Sequence, residues 1–129
     1  MIVLDASALI ALVNERDHQH TWARDLFVST HEHEWVISVL NYAEVMVRPA
    51  RVGNLEIFLA GISGAGIAVE PVTADDATQL ASLRATTALK MPDVVALQLA
   101  LRRKAAIATA DSTLAFVARA MGCTVLAPE

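Results

Sequence analysis

Four acidic residues occupy positions that set them apart from ordinary surface charge. Asp5 directly follows the first apolar run of the chain, and Asp111 lies two residues beyond a later one. Asp93 lies near the start of a segment with helical periodicity, and Glu44 lies inside another, one turn from apolar residues on either side. Taken singly, the three aspartates also suit helix N-caps or first turns, where carboxylates are stabilising. Taken together, the four acids predict a shared site.

A cluster of carboxylates implies a particular chemistry. Like charges raise one another's pKa unless a divalent cation neutralises them. Ligation by oxygen alone favours Mg²⁺ or Mn²⁺ over Zn²⁺. A cation held in this way polarises a phosphate, activates water and stabilises a leaving oxygen, so the pattern favours phosphoryl transfer.

Polar side chains accompany the acids. Ser7 and Thr109 each lie two residues from one of the aspartates, where a hydroxyl can orient a carboxylate or bind phosphate. Local capping and strand propensity explain these two residues equally well. Asn41 lies three residues before Glu44 and therefore on the same helix face, where it either contacts substrate or caps the helix.

Two cationic side chains lie near the acids along the chain. Arg48 follows Glu44 by one helical turn, so it either pairs with that carboxylate or meets a phosphate. Lys90 precedes Asp93 by three residues. The only basic run, 102–104, ends a predicted helix far from Asp93, where it suits the helix dipole. We therefore expect Arg48 and Lys90 to bind substrate.

Short apolar runs alternate with longer helical segments along the chain. The predicted strands are 2–5, 35–38, 67–71, 106–109 and 123–126. The predicted helices are 6–13, 17–29, 39–51, 53–62, 73–89, 92–104 and 111–121. This alternation predicts an α/β fold, a three-layer α/β/α sandwich with a mainly parallel central sheet. Ligands of such sheets bind beyond the carboxyl ends of the strands, which is where Asp5 and Asp111 lie.

Length and composition fit a single domain over residues 1–129. The chain is 55% hydrophobic and has no apolar run long enough for a membrane helix. The single Cys123, expected to be buried, and a start without a basic region predict a cytoplasmic protein. The formal charge of −4 argues at first against nucleic acid. Without the four candidate ligands, however, the acidic and basic residues balance at 10 each, so the excess charge belongs to the site.

The order of these motifs resembles the PIN-domain nucleases, and most closely the VapC-type toxins of prokaryotic toxin–antitoxin pairs. The resembling segments are 2–12, 39–45, 90–97 and 107–114. Each motif is weak alone, whereas four in this order, with acids separated by 39, 49 and 18 residues, are fairly specific. Many members carry an aromatic residue three positions after the last acid, where this chain has Leu114, and Phe116 follows two residues later. We expect that departure to change local packing only.

The resemblance implies a metal-dependent endoribonuclease, usually a homodimer, that a cognate antitoxin inhibits. It implies that Asp5 and Asp93 are the core ligands of Mg²⁺ or Mn²⁺, and that Asp111 and Glu44 complete the site directly or through water. The two hydroxyl residues match those that accompany the first and last acids of the family.

Other functions fit parts of the pattern. An aspartyl-phosphate phosphohydrolase on a similar sheet would use Asp5 as nucleophile, but it needs a second aspartate where Ser7 stands. A PIN-fold module that binds RNA or protein without catalysis would not need all four acids. Two His-x-His pairs, at 18–20 and 31–33, suggest zinc, but side chains two apart on a helix do not share a face, so we expect solvated histidines.

The predicted helices 17–29 and 53–62 are rich in apolar bulk. They carry Trp22, Phe27, Leu55, Phe58 and Leu59. This surface is either plain core or a groove for an antitoxin segment or a dimer contact.

Overall fold

A five-stranded parallel sheet forms the centre of this computed structural model, which describes all 129 residues. The strands are β1 (Ile2–Leu4), β2 (Trp35–Ser38), β3 (Ile67–Glu70), β4 (Ala106–Ala108) and β5 (Val125–Leu126). Their order is β3-β2-β1-β4-β5, and every neighbouring pair is parallel. All five carboxyl ends therefore share one edge, and β1 lies in the middle.

Helices cover both faces of the sheet. They are α1 (Ala6–Val13), α2 (His20–Ser29), α3 (Val39–Arg51), α4 (Leu55–Ser63), α5 (Ala77–Thr86), α6 (Met91–Arg103) and α7 (Ser112–Ala120), with a 3₁₀ turn at Ala74–Asp76. Because side chains alternate along a strand, Val3 packs into one apolar cluster with α5, α6 and α7. Ile2 and Leu4 pack into a second cluster with α1 to α4. The predicted three-layer α/β/α sandwich is confirmed.

Several helix ends differ from the predicted ones, and local hydrogen bonds explain why. The second helix begins at His20, not at residue 17, because the Asp17 carboxylate accepts the Gln19 N–H in a turn. The His20 ring bonds the Ala11 carbonyl at 2.8 Å, so this histidine packs α2 on α1 and is not simply solvated. The fourth helix begins at Leu55, after Gly53 adopts a φ of +76°.

The basic run at the end of α6 is paired with carboxylates of the protein. Arg102 and Arg103 both bind Glu70 at the end of β3, and Arg102 Nε lies 3.6 Å from Asp76. The hydrogen bond from Arg103 lowers the pKa of Glu70. The two arginines are therefore engaged in joining α6 to the third strand and to the 3₁₀ turn.

Leu114 and Phe116, which follow the last acid on α7, differ in burial. Leu114 is fully buried in the cluster beneath α7, whereas Phe116 is 73% exposed on the outer face of that helix. Cys123 is partly buried and unpaired. No helix in the structure is both long enough and apolar enough to cross a lipid bilayer.

Lys104 offers a test of the backbone. It is the only non-glycine residue with a positive φ, +52°, and it ends α6 in the left-handed conformation. Because a Cβ is strained there, Lys104→Gly should raise the free energy of unfolding by about 1 kcal/mol, measured by urea titration. Lys104→Ala is the control, since it removes the charge and keeps the Cβ. An equal gain in both variants would contradict the backbone explanation.

Candidate active site

The carboxylate of Asp5 is held by hydrogen bonds on both oxygens. Asp5 is 3% exposed and follows β1 directly. Its Oδ1 accepts the Ser7 hydroxyl at 2.7 Å and the Ala8 N–H at 2.9 Å, and its Oδ2 accepts the Thr109 hydroxyl at 2.6 Å. Burial raises the pKa of Asp5, while these three hydrogen bonds oppose the rise. The side chain is thus fixed in one orientation.

The two hydroxyls also join the loops that follow β1 and β4. Ser7 Oγ accepts the Ala110 N–H at 2.9 Å, and Thr109 Oγ1 accepts the Asp111 N–H at 2.9 Å. Asp111 in turn caps α7, because its Oδ1 accepts the N–H groups of residues 113 and 114. Asp5 caps α1 in the same way. Asp5 and Asp111 can therefore cap their helices and also belong to the acidic site.

Glu44 lies on α3 with its side chain toward solvent. The apolar residues one turn away, Leu40 and Val47, are 48% and 44% exposed, so Glu44 does not lie on a buried apolar face. Of the two roles predicted for Arg48, pairing with Glu44 is wrong, because Arg48 forms no ion pair. Glu44 Oε1 instead accepts the side-chain amide of Asn41 at 3.0 Å.

Asp93 connects the four acids electrostatically. It lies in the first turn of α6 and is half-buried. Burial raises its pKa to about 6, and the charges of Asp111, Asp5 and Glu44 contribute to the rise in that order. Lys90, the N-cap of α6, lowers it. Asp93 therefore lies within electrostatic range of each of the other three predicted acids.

The donor set suits a hard divalent cation. Every side chain of the cluster offers oxygen, and burial together with neighbouring carboxylates raises the pKa values of Asp5 and Asp93, so a bound cation would stabilise their ionised forms. No three His, Cys, Asp or Glu side chains are close enough in the structure to form a preformed metal cage. A cation here would accordingly take part of its coordination from water, as Mg²⁺ commonly does.

A groove begins at Glu44 and runs away from the acids between α1, α3 and α4. It has a volume of about 610 Å³, and Arg16 and Arg48 line it together with apolar side chains. It shares Val13, Ile57 and Phe58 with a second hollow of about 450 Å³. Of the apolar residues that sequence reasoning singled out, Phe27 and Phe58 line these hollows. Ile57 and Val13 were missed, because helical periodicity does not reveal which apolar face remains uncovered.

The family model for the PIN domain matches residues 2–120, and these include all four acids. The chain belongs to the PIN domain family. No curated protein matches the sequence at a significant level.

Solved PIN-fold structures share this architecture at low sequence identity. A Mycobacterium tuberculosis toxin, VapC20, described as cleaving the sarcin–ricin loop, is 20% identical with a TM-score of 0.78, over 96% of this chain and 97% of that one. The Neisseria gonorrhoeae FitAcB structure is 16% identical with a TM-score of 0.73, over 98% and 96%. A Klebsiella pneumoniae toxin–antitoxin complex is 21% identical with a TM-score of 0.70, over 87% and 88%. At these identities the likeness shows the fold.

The electrostatic coupling at Asp93 can be measured directly. In protein freed of metal, the Asp93 carboxyl should titrate near pH 6, and Asp111→Asn should lower its pKa by removing the largest repulsive charge. Carbon-13 NMR of the aspartate carboxyls reports both values. Because the pKa of Asp93 is higher in the folded state, its contribution to the free energy of unfolding should rise as the pH falls from about 6 toward 4. An Asp93 pKa near 3.8 would contradict the described cluster.

Proposed function

We propose that this PIN domain is a metal-dependent endoribonuclease that acts as the toxin of a toxin–antitoxin pair. The observation that carries the proposal is that Asp93 lies within electrostatic range of the other three acids at one edge of the sheet, where a divalent cation would offset their charge. Mg²⁺ or Mn²⁺ is the cation that oxygen ligands favour. The named toxins and toxin–antitoxin complexes among the structural neighbours support the biological role.

The residues divide the work of hydrolysis. Asp5, fixed by its hydroxyl partners, provides a ligand whose direction does not change when the substrate arrives. The pKa of Asp93 is raised to about 6, so a nearby cation would stabilise its ionised form. Asp111 and Glu44 complete the site directly or through water. A divalent cation held by these residues would supply polarisation of the phosphodiester and activation of water for in-line attack.

Removing a ligand tests the catalytic proposal. Asp5→Asn and Asp93→Asn should each lower the rate of RNA cleavage by more than about 100-fold, since even outer partners of a metal site cost 10- to 100-fold. EDTA should abolish cleavage, and Mg²⁺ or Mn²⁺ should restore it. A gel assay with structured RNA measures all of these rates.

Asp25→Asn is the matched control, because Asp25 is an exposed acid on α2 with a 70% exposed side chain. Cleavage that survives EDTA or either site substitution at the parental rate would exclude the mechanism. RNA binding without cleavage by the parent protein would instead favour the non-catalytic module.

Lys90 is the cation best placed to meet a phosphate. It occupies the N-cap position of α6 without a side-chain capping bond, lies within electrostatic range of Asp93 and forms no ion pair. Arg48 is likewise unpaired and lines the groove that begins at Glu44. Both side chains are therefore free to bind substrate, although the sheet edge itself is acidic.

Replacing Lys90 tests its contact with RNA. Lys90→Ala should weaken RNA binding, and the slope of log Kd against log salt concentration should fall by about 0.7 to 1, the value for one phosphate contact. Lys104→Ala is the control, because it lies at the other end of α6, about 20 Å away along the helix. Equal salt slopes for the parent and Lys90→Ala would remove Lys90 from the interface.

The groove beside the acids suits the antitoxin. Half of its lining residues are apolar, and Val13, Ile57 and Phe58 line both this groove and the adjoining hollow. A helical or extended segment with apolar side chains would cover these residues. Ile57 is 73% exposed and lines both hollows, so a segment that packs there would cover it. We further propose a homodimer and a cytoplasmic location, in which the partners meet in a reducing environment.

A charged residue in the groove tests antitoxin docking. Ile57→Glu should weaken the complex with the product of the adjacent gene by more than about tenfold, because it places an unpaired carboxylate against an apolar segment. Val28→Glu is the control, since Val28 is 64% exposed on α2 and lines neither hollow. Isothermal titration calorimetry compares the two variants. Equal affinities would place the antitoxin elsewhere.

A further inference from the structure

Asn41 is a buried amide in an otherwise exposed part of α3. It is 1% exposed, whereas Leu40 beside it and Glu44 one turn on are exposed. Sequence reasoning offered two roles for Asn41, a substrate contact or a helix cap. The burial rules out direct contact with RNA, and the amide caps no helix end.

The side-chain nitrogen of Asn41 uses both of its hydrogens at the acidic site. One bond goes to Glu44 Oε1 and the other to the Pro92 carbonyl, each at 3.0 Å. Two acceptor oxygens lie within hydrogen-bonding distance of this atom. It is therefore assigned as the amide nitrogen, because an amide oxygen there would face two other acceptors. Pro92 directly precedes Asp93 in the chain, so the Asn41 amide links Glu44 to the residue next to Asp93.

The oxygen of the same amide has no partner. Asn41 Oδ1 is buried without a hydrogen bond, and so is Ser38 Oγ, which lies on the residue that precedes α3. A buried polar atom without a partner is destabilising, and an apolar side chain at this position would avoid the cost. The amide is therefore poorly explained by folding alone.

We propose that Asn41 is a positioning residue that holds Glu44 against the first turn of α6, and so fixes the spacing between the Glu44 and Asp93 carboxylates. Glu44 is exposed, has a flexible side chain and is repelled by Asp93. Without the amide, its carboxylate would move into solvent and leave the cation site. This inference deepens the proposed nuclease function and depends on it for its consequences in catalysis.

A double-mutant cycle tests this role. Asn41→Ala should lower both kcat and the affinity for Mn²⁺ by about 10- to 100-fold, the usual effect of losing an outer partner of a metal site, with KM for RNA changed far less. In a Glu44→Ala background the same substitution should cost less than about threefold, because the group it positions is already absent. Asn41→Ser, which keeps one donor, should recover part of the loss. Gln19→Ala is the control, since the Gln19 side chain makes no capping bond.

Urea unfolding of the four proteins of this cycle, namely the parent, Asn41→Ala, Glu44→Ala and the double variant, provides a readout that is independent of activity. The Asn41–Glu44 bond predicts that the two alanine substitutions are not additive in stability. Parental activity and Mn²⁺ affinity in Asn41→Ala, or losses that multiply fully in the double variant, would overturn the proposed role. If the parent neither cleaves RNA nor binds Mn²⁺, the nuclease proposal fails. The unfolding data still test the bond between Asn41 and Glu44, because additive unfolding free energies would overturn it.

Discussion

Burial of carboxylates beside one another, at one edge of a parallel sheet, is the constraint on which the acidic site of this PIN domain depends. Asp5 is buried, and Asp93 carries the summed influence of the other three acids. Hydrogen bonds from Ser7 and Thr109 keep Asp5 in place without supplying positive charge. Ionising these carboxyls therefore destabilises the metal-free folded state, and a ligand that binds only the folded state would offset this loss of stability. A divalent cation is the simplest such ligand.

The topology of the sheet brings these acids to one edge, although helices separate its strands along the chain. The chain leaves β1, returns on one side as β2 and β3, and later on the other side as β4 and β5. The reversal lies between β1 and β4, where a parallel sheet opens a crevice beyond its carboxyl ends. Asp5 and the segment Thr109–Asp111 stand at that crevice. Helices α3 and α6 then supply the other two acids, and one amide, Asn41, connects them.

The sequence was informative about elements and about the residues at strand ends, since both depend on local pattern. Asp5 and Asp111 were placed correctly because an acid after an apolar strand can lie at only one edge. Local pattern fails where the decisive neighbour is remote. The exposure of Glu44, the Asn41 bond to Pro92 across 51 residues, and the pairing of Arg102 with Glu70 all depend on tertiary packing. For the same reason the sequence pointed to Phe27 and Phe58 in the uncovered hollows but not to Val13 and Ile57.

Thermal unfolding with and without Mn²⁺ tests the central claim, that the acids are a cation site held under repulsion. Near pH 7.5, a hundredfold excess over Kd should stabilise the parent by about 2.7 kcal/mol and raise its Tm accordingly. Asp93→Asn should raise the Tm in the absence of metal, because it removes the repelled charge, and should lose the response to Mn²⁺. A parent that is insensitive to Mn²⁺, or a metal-free Asp93→Asn variant less stable than the parent, would contradict the account.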